Sequence, residues 1–265
     1  MTSKLFFKST LLFFSLLIVS CGSSKKAIPQ VKPSTDNVTL TSTSTDVTFK
    51  TGAENFESYL PLLKDKRVGI VTNQTGIIKY ELIEMIYVQD PRIKPQAKLT
   101  NKEVSIVDFL LGQNINLQKI YAPEHGFRGT ADAGELIVDG KDTKTNLPII
   151  SLYGNNKKPK PEQLEGIDIL VFDLQDVGAR FYTYISSLHY VMEACAENNI
   201  PLLVLDRPNP NGTIIDGPIL EKEHKSFVGM HEIPVLHGMT IGEYAKMING
   251  EKWLKDSLQC DLKVA

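Results

Sequence analysis

The sequence predicts an α/β protein in which a Rossmann-like parallel sheet carries helices on both faces. Residues 167–173 and 200–205 are almost wholly apolar, which is typical of strands buried on both faces of a parallel sheet. Between them, residues 183–198 place apolar side chains at helical spacing. Strands that alternate with helices in this way indicate one sheet covered on both sides. We expect the start of a smaller, incomplete C-terminal domain to follow this sheet.

The composition is that of an ordinary soluble globular protein. The chain has 265 residues, enough for one large domain or for one domain and part of a second. Hydrophobic residues make up 42% of it and charged residues 23%. The formal net charge is -2, and the sequence has no block of Lys and Arg with interleaved aromatic residues. We therefore expect no nucleic-acid partner.

Residues 1–20 have the pattern of a bacterial signal peptide. Lys4 and Lys8 flank a short positive start, and residues 11–19 form an apolar run that is too short for a permanent transmembrane helix. Small residues precede Cys21 where this run ends, as in the bacterial lipobox, whose cysteine receives lipid. The alternative is an ordinary cleaved signal peptide with an incidental cysteine. We expect lipid on Cys21 to anchor an exported protein in the cell envelope, facing the periplasm or on the outer membrane.

Changes in composition suggest the domain boundaries. Residues 21–55 are rich in Ser, Thr, Lys and Pro and poor in large apolar residues, which predicts a flexible tether. Residues 56–217 contain the strands and helices of the predicted Rossmann-like catalytic domain. The pattern changes after Gly217, and a strand begins near Asp261. We therefore predict that residues 218–265 are the beginning of the C-terminal domain.

Shorter patterns place the other elements. Strands are predicted at 66–72, 117–121 and 148–152, helical segments at 104–111 and 161–165, and a loop with a short strand at 231–238. Residues 77–102, which include Pro91 and Pro95, predict a helical piece and an irregular excursion. Thr240 and Glu243 form a capping-box pattern that predicts the start of a further helix.

Chemistry is expected at the carboxyl ends of the parallel strands, because ligands bind there in sheets of this kind. The polar residues that follow predicted strands are Asn73, Glu124, Asp173 with Asp176, and Asp206 with Arg207. Asp206 has two interpretations: a catalytic carboxylate, or an acceptor that fixes its turn-rich loop.

Residues 123–129 concentrate the most chemistry in one loop. Pro123 ends a strand, and Glu124, His125 and Arg128 project from a compact turn that glycines permit. A carboxyl group beside a histidine can be tuned as a general acid or base. The alternative is a loop held by an ion pair between Glu124 and Arg128, with His125 as a plain turn residue.

Residues 173–182 follow the clearest strand of the sequence. They contain Asp173, Asp176, Arg180 and Tyr182, a set that suits a sugar with an acidic substituent. Arginine fits such a group because it binds a carboxylate through two parallel hydrogen bonds. The alternative is that Asp176 caps a turn and pairs with Arg180.

Other classes of site lack their sequence patterns. No Gly-x-Gly-x-x-Gly fingerprint follows the first strand, and no phosphate-binding loop with Lys-Ser/Thr occurs, so dinucleotide binding is not expected. The absence of Gly-x-Ser-x-Gly argues against a serine esterase. His224, His231 and His237 are irregularly spaced, so we expect no metal site there.

Four segments together resemble the NamZ-type exo-β-N-acetylmuramidases. They are 68–76 (VGIVTNQTG), 122–129 (APEHGFRG), 172–184 (FDLQDVGARFYTY) and 237–243 (HGMTIGE). The resemblance implies an exo-acting glycosidase that removes N-acetylmuramic acid from the non-reducing end of peptidoglycan fragments. It also implies an active site in a cleft between a Rossmann-like domain and a smaller C-terminal domain. By position, Glu124 is the catalytic carboxyl group that the resemblance implies.

Glycoside hydrolysis without a metal or an organic cofactor is the resulting interpretation. Glu124 is expected to act as general acid, with Asp173, Asp176 or Asp206 as the second carboxylate that glycosidases usually employ. The predicted sugar-binding residues are Arg128 or Arg180 for the lactyl carboxylate, Asn73 and His125 for hydroxyl or acetamido groups, and Tyr182 and Asp206. The expected partners are peptidoglycan-derived sugars such as MurNAc-GlcNAc.

Three other interpretations stay open. The first is a lipid-anchored protein that binds muropeptides without cleaving them. The second is a different hydrolase of the same glycan, such as an esterase or a deacetylase, although the sequence patterns of both are absent. The third is a non-catalytic relic of the enzyme.

Overall fold

A computed structural model describes residues 49–86, 94, 96–128 and 139–265. The predicted signal peptide, the predicted lipidation site Cys21 and most of the tether lie outside the described residues. The same holds for residues 129–138, in the loop that follows Glu124. Among the described residues, no helix combines the length and the apolar character that crossing a bilayer requires.

The described residues form five α-helices and eleven strands. The helices are α1 (Phe56–Leu63), α2 (Ile106–Gly112), α3 (Pro161–Leu164), α4 (Tyr184–Glu197) and α5 (Ile241–Gly250). The strands are β1 (Val68–Thr72), β2 (Ile77–Ile86), β3 (Gln96–Ser105), β4 (Leu117–Ala122), β5 (Gly140–Lys141), β6 (Pro148–Ser151), β7 (Ile169–Asp173), β8 (Leu202–Val204), β9 (Ile215–Asp216), β10 (Leu236–His237) and β11 (Leu262–Val264).

Seven strands form the main sheet, in the order β11-β8-β7-β1-β4-β6-β5. Neighbouring strands from β11 to β6 run parallel, and the edge strand β5 runs antiparallel to β6. Every residue of the central strands β1 and β7 is buried, as their apolar sequences predict. The predicted α/β fold with a mostly parallel sheet is therefore confirmed.

Helices cover both faces of the main sheet. On one face, Leu188 of α4 and Tyr244 of α5 share a buried cluster with Phe172 of β7. On the other face, Tyr59 of α1 shares a second buried cluster with Val171 of β7. Val171 and Phe172 serve opposite faces because successive side chains alternate along a strand. Each face removes apolar surface from water, which is the main favourable contribution to folding.

Residues 77–102 differ from the prediction. The described residues 77–86 and 96–102 belong to the antiparallel pair of β2 and β3, in which Ile77 lies opposite Ser105. The expected helical piece was wrong because β3 is mostly exposed, so its sequence carries little apolar alternation. Pro91 and Pro95, on which the predicted irregular excursion rested, lie outside the described residues.

Residues 218–265 pack with the main sheet. Strand β11 extends this sheet by pairing in parallel with β8. Ile241, Tyr244 and Ile248 of α5 lie in the same buried cluster as the residues of α4. The domain boundary predicted at Gly217 stays a prediction. The polar loops between β8 and α5 interrupt the apolar pattern without ending the sheet.

Helix α5 begins as the sequence predicts. Oγ1 of Thr240 accepts a hydrogen bond of 3.1 Å from the backbone N–H of Glu243. Oε2 of Glu243 accepts one of 2.9 Å from the backbone N–H of Thr240. This reciprocal pair satisfies donors that the first turn of a helix leaves without partners.

Candidate active site

Glu124 lies at the carboxyl edge of the main sheet, in the loop that follows β4. Its side chain is half-buried. Oε1 accepts a hydrogen bond of 3.3 Å from the hydroxyl of Tyr153, and Oε2 accepts one of 3.3 Å from Oγ1 of Thr183. Tyr153 follows β6, and Thr183 immediately precedes α4, so two further elements converge on this carboxylate. Both contacts are long for hydrogen bonds between oxygens, so they orient the carboxylate weakly.

Two tyrosine hydroxyls respond to the charge of Glu124. Desolvation and the negative charge of Glu124 raise the pKa of Tyr153. Burial, followed by the charge of Glu124, raises the pKa of Tyr184 to about 12, and Asp176 contributes in the same direction. Both tyrosines therefore stay protonated near neutral pH and can donate hydrogen bonds. Because Tyr184 responds to both carboxylates, Glu124 and Asp176 belong to one electrostatic environment.

Asn73 is buried beneath this site. Its Nδ2 donates a hydrogen bond of 2.7 Å to the hydroxyl of Tyr184. Its Oδ1 accepts from the backbone N–H and from Oγ1 of Thr75, at 2.9 and 2.6 Å. Oγ1 of Thr75 in turn accepts from the backbone N–H of Gln175, at 3.1 Å. Asn73 therefore connects the loops after β1 and β7 and fixes Tyr184. Its predicted contact with a sugar stays a prediction.

The loop that carries Glu124 also contains Arg128, which is paired with Asp142. Nε and Nη2 of Arg128 donate to Oδ1 and Oδ2 of Asp142, at 2.7 and 2.8 Å. This pair holds the pKa of Asp142 well below its usual range. The expected alternative of a Glu124–Arg128 ion pair is therefore replaced by an Arg128–Asp142 pair. His125 has a φ of 74°, which places a non-glycine residue in the left-handed region of this turn.

Asp173 is fully buried and paired with Arg207. Nε of Arg207 donates to Oδ1 at 2.6 Å, and Nη2 donates to Oδ2 at 3.0 Å. Nη2 also donates to the carbonyl oxygen of Ile77, at 3.0 Å. Burial raises the pKa of Asp173, and the neighbouring guanidinium opposes that rise. Asp173 therefore connects the ends of β7 and β8 and the start of the hairpin.

Asp206 occupies a second fixed position. Its Oδ1 accepts from the backbone N–H groups of Arg207 and Gly242, at 2.9 and 2.7 Å. Its Oδ2 accepts from Oγ1 of Thr240, at 2.7 Å. These contacts join the loop after β8 to the start of α5. They correspond to the loop-fixing interpretation of Asp206.

Asp176 is buried, but its partners are fewer. Its Oδ2 accepts a hydrogen bond of 2.7 Å from the backbone N–H of Gly178. Among the described residues, its Oδ1 has no hydrogen-bond partner. Nε2 of His237 lies 3.5 Å from Oδ2. The expected Asp176–Arg180 pair is replaced by contacts of Arg180 with backbone carbonyl groups.

Arg180 and Tyr182 lie on the segment that leads into α4. Nη1 of Arg180 donates to the carbonyl oxygen of Pro218 at 2.8 Å and to that of Ile233. The side chains of Phe181 and Tyr182 are 57% and 47% exposed, and their ring centroids are 6.4 Å apart. Two accessible aromatic rings therefore immediately precede Thr183, which contacts Glu124.

The structure brings together Glu124, Tyr153, Thr183 and Tyr184, of which sequence reasoning singled out Glu124 alone. Thr183 and Tyr184 fall inside the motif at 172–184, so that motif contained the available signal. Tyr153 follows a short strand whose carboxyl end lies at the same edge of the sheet. Strand order could have suggested Tyr153, but its sequence alone contains no distinctive pattern.

Within the described ranges, one group of side chains brings three potential metal-binding atoms within 4.8 Å of one another. It consists of Glu221, Glu223 and His224, all of which are exposed. Exposed acidic groups of this kind are common without an ion. Among the described residues, the hydrogen bonds to the Glu124 carboxylate come from the hydroxyl groups of Tyr153 and Thr183.

Comparison with known proteins supplies the family. The family model described as exo-beta-N-acetylmuramidase NamZ, N-terminal, matches residues 68–265. The peptidoglycan beta-N-acetylmuramidase NamZ of Bacillus subtilis (strain 168) is 47% identical over 208 residues, which are 78% of this chain and 44% of that protein.

Two crystal structures of DUF1343 family proteins from Bacteroides fragilis NCTC 9343 are also similar. One is 43% identical with a TM-score of 0.64, and the match covers 81% of this chain and 50% of that chain. The other is 42% identical with a TM-score of 0.66, and the match covers 81% and 49%. The chain thus spans about half the length of the relatives that it matches. Together with the match to the family model over residues 68–265, this similarity places the chain in the NamZ exo-β-N-acetylmuramidase family.

Proposed function

We propose that this protein is an exo-acting glycoside hydrolase that releases N-acetylmuramic acid from the non-reducing end of peptidoglycan fragments. The observation that carries the proposal is the position of Glu124, half-buried at the carboxyl edge of the sheet, where its carboxylate accepts hydrogen bonds from the hydroxyl groups of Tyr153 and Thr183. The B. subtilis relative is named as a peptidoglycan beta-N-acetylmuramidase, which gives the substrate class. No organic cofactor or metal enters the proposed reaction.

Glu124 is the general acid in this proposal. Glycosidic cleavage needs a protonated carboxyl group beside the leaving oxygen, because the oxygen of the departing sugar must gain a proton. Hydrogen bonds from Tyr153 and Thr183 orient the carboxyl group. Because Arg128 is paired with Asp142, its positive charge is neutralised locally and does not bind Glu124 as an ion pair.

Asp176 is the preferred second carboxylate. Both oxygens of Asp173 accept hydrogen bonds from Arg207, and both oxygens of Asp206 accept hydrogen bonds from residues at the start of α5. Asp176 retains one oxygen without a hydrogen-bond partner among the described residues, and it shares with Glu124 an effect on Tyr184. A carboxylate with unused acceptor capacity can stabilise the positive charge that develops on the sugar ring.

Arg180 is the preferred contact for the lactyl carboxylate of muramic acid. The side-chain hydrogen bonds of Arg180 to described residues come from Nη1, so Nε and Nη2 keep donor capacity. Arg128 was the other residue expected to bind the lactyl carboxylate, but its Nε and Nη2 donate hydrogen bonds to Asp142. Tyr182, His125 and Asn73 remain proposed sugar contacts, and Asn73 also donates a hydrogen bond to the hydroxyl of Tyr184.

A disaccharide assay tests the proposed function. Purified full-length protein is incubated with MurNAc-GlcNAc, and free sugars are measured by mass spectrometry. Free N-acetylmuramic acid is the expected product, and the isomer with reversed order, GlcNAc-MurNAc, should remain intact because its non-reducing sugar lacks the lactyl group. Saturable binding of MurNAc-GlcNAc without any release would contradict hydrolysis and favour the muropeptide-binding alternative.

We also propose that the protein acts in cell-wall turnover and recycling, and that lipid on Cys21 anchors it in the cell envelope. The support is the signal-peptide pattern of residues 1–20 and the small residues before Cys21. Membrane fractionation of the native bacterium tests the anchor. The wild-type protein should sediment with membranes, and Cys21→Ser should shift it to the soluble or unprocessed pool. An unlipidated wild-type N-terminus in mass spectrometry would contradict the anchor.

A further inference from the structure

His237 is a buried histidine outside the residues assigned so far. It lies on β10, and its side chain is 0% exposed. Among the described residues, Nε2 of His237 and Oδ1 of Asp176 both lack hydrogen-bond partners. Nε2 lies 3.5 Å from Oδ2 of the same aspartate. A buried donor and a buried carboxylate thus face each other with unused hydrogen-bonding capacity, an arrangement that a folded protein retains at a cost in stability.

The backbone holds His237 and Asp176 opposite each other. The N–H of His237 donates to the carbonyl oxygen of Gly178 at 3.3 Å, and the N–H of Arg180 donates to that of Val235 at 2.8 Å. Gly178 also donates its own N–H to Oδ2 of Asp176. These contacts connect both ends of the loop after Asp176 to β10, so the approach of the two side chains is built into the fold.

Gly178 is required for this arrangement. Its φ is 76°, in the left-handed region that favours glycine. A Cβ atom added there would lie 2.1 Å from Oδ1 of Asn209. The loop therefore takes its path close to Asn209 only because residue 178 has no side chain. That path brings Asp176 toward His237.

The hydrogen bonds of His237 indicate where its proton lies. The backbone N–H of Met239 donates to Nδ1 at 3.3 Å, so Nδ1 is an acceptor and the proton of the neutral ring belongs on Nε2. The Nε2–H group then faces Asp176. The ring of Tyr244 packs against His237 with centroids 5.2 Å apart and restricts rotation of the imidazole.

We propose that His237 is a positioning residue for Asp176 in the proposed reaction, with its buried imidazole facing Oδ2 and holding the carboxylate in one orientation. This inference rests on the proposed function. The N–H of Gly178 donates to Oδ2, and the imidazole of His237 lies against the same oxygen with Nε2 3.5 Å away, so that rotation of the carboxylate is restricted. A fixed acceptor stabilises developing positive charge better than a mobile one, because it needs no reorganisation during the reaction.

The test compares two substitutions of His237 in the full-length protein acting on MurNAc-GlcNAc. His237→Leu removes the donor, and we expect kcat to fall on the order of 10²-fold with little change in KM. His237→Gln can place its own amide donor near the position of Nε2, and it should recover most of the lost kcat. His224→Leu, at an exposed histidine, is the matched control and should behave as wild type.

A double-mutant cycle with Asp176→Asn separates positioning from general stability. If His237 acts through Asp176, His237→Gln and His237→Leu should differ in kcat in the wild-type background and be equal in the Asp176→Asn background. The Gln and Asn substitutions preserve shape, so they carry the test if His237→Leu fails to fold. A difference that persists unchanged in the Asp176→Asn background would overturn the inference.

Failure of the inference and failure of the proposed function give different results. A wild-type protein that releases no N-acetylmuramic acid overturns both. An active wild type whose kcat is unaltered by His237→Leu and His237→Gln overturns the positioning role alone. Losses of the same size in His237→Leu and His237→Gln, expressed only in KM, would do so as well.

Discussion

The loops that follow β4 and β8 leave the same edge of the sheet but hold their carboxylates in opposite ways. After β4, Glu124 accepts hydrogen bonds of 3.3 Å from Tyr153 and Thr183. After β8, Asp206 accepts hydrogen bonds of 2.7 to 2.9 Å from backbone and hydroxyl donors. A carboxylate with short, complete contacts stabilises the fold, whereas one with long contacts keeps capacity for a proton and a substrate.

The difference shows that position at the sheet edge does not by itself define a catalytic carboxylate. Asp173 is a second example, because it is the last residue of β7 and yet both of its oxygens accept hydrogen bonds from Arg207. Substitutions in the two regions should therefore separate into effects on activity and effects on stability.

Glu124→Gln should have the largest effect on activity. The amide cannot donate the proton that the leaving oxygen needs, so turnover of MurNAc-GlcNAc should fall about 10³-fold. The melting temperature should change little, because the hydrogen bonds to Glu124 are long. Glu223→Gln, at an exposed glutamate, is the control for loss of a carboxyl group. Undiminished turnover in Glu124→Gln would remove Glu124 from the mechanism.

Asp173→Asn should have the largest effect on stability. It leaves the guanidinium of Arg207 buried without its charged partner, and such losses cost about 3–5 kcal/mol. Urea unfolding followed by circular dichroism measures the change. The control is Asp168→Asn, which breaks a largely exposed pair with Arg67 and should cost much less. Equal losses in the two variants would mean that burial does not distinguish these ion pairs.

The regular elements were largely predictable from sequence, whereas the contacts between them were not. Strands β1, β7 and β8 are buried on both faces, and that burial requires the apolar runs on which the prediction rested. The sequence did not predict strands β2 and β3, because the mostly exposed strand β3 needs no alternation of apolar residues. The pairing of β11 with β8 joins segments far apart in sequence, so no local pattern indicates it.

The candidate site shows the same limit. Strand ends brought Glu124 and Asp176 under consideration, since every parallel strand must end at that edge. The sequence could not decide which charged side chains were already paired, because Arg207 reaches Asp173, and Asp142 reaches Arg128, from segments that are separate in the chain. Tyr153 was missed for the same reason.

His189 and His231 form a buried histidine pair beside α4 and α5. This pair should make stability sensitive to acid, independently of Glu124. The hydroxyl of Tyr244 contacts Nδ1 of His231 at 2.8 Å, and Nε2 of His231 contacts Nδ1 of His189 at 2.9 Å. The ring of Trp253 stacks on the ring of His231, with the ring centroids 4.8 Å apart. Burial, followed by the charges of His189 and Lys225, lowers the pKa of His231 to about 3.

The sign of the pH effect follows from that lowered pKa. Between pH 6.5 and about 3, His231 takes up a proton in the unfolded chain but not in the folded one, so stability falls as the pH is lowered. Each pH unit in this window costs about 1.4 kcal/mol. Unfolding free energies at pH 7 and 5 should differ by roughly 2 kcal/mol less in His231→Gln than in wild type. An identical pH slope in both proteins would exclude His231 as the source.

The smallest predicted effect tests how Asp206 stabilises the fold. Thr240→Ala removes the hydroxyl that caps α5 and also donates to Oδ2 of Asp206. Loss of a helix cap typically costs about 1 kcal/mol, and the melting temperature should fall by a few degrees. Thr213→Ala, at an exposed threonine, is the control and should be neutral. Since neither residue contacts Glu124, kcat should be preserved in both variants. A fall in kcat at unchanged stability would instead place Asp206 in the sugar site and bring the loops after β4 and β8 into one function.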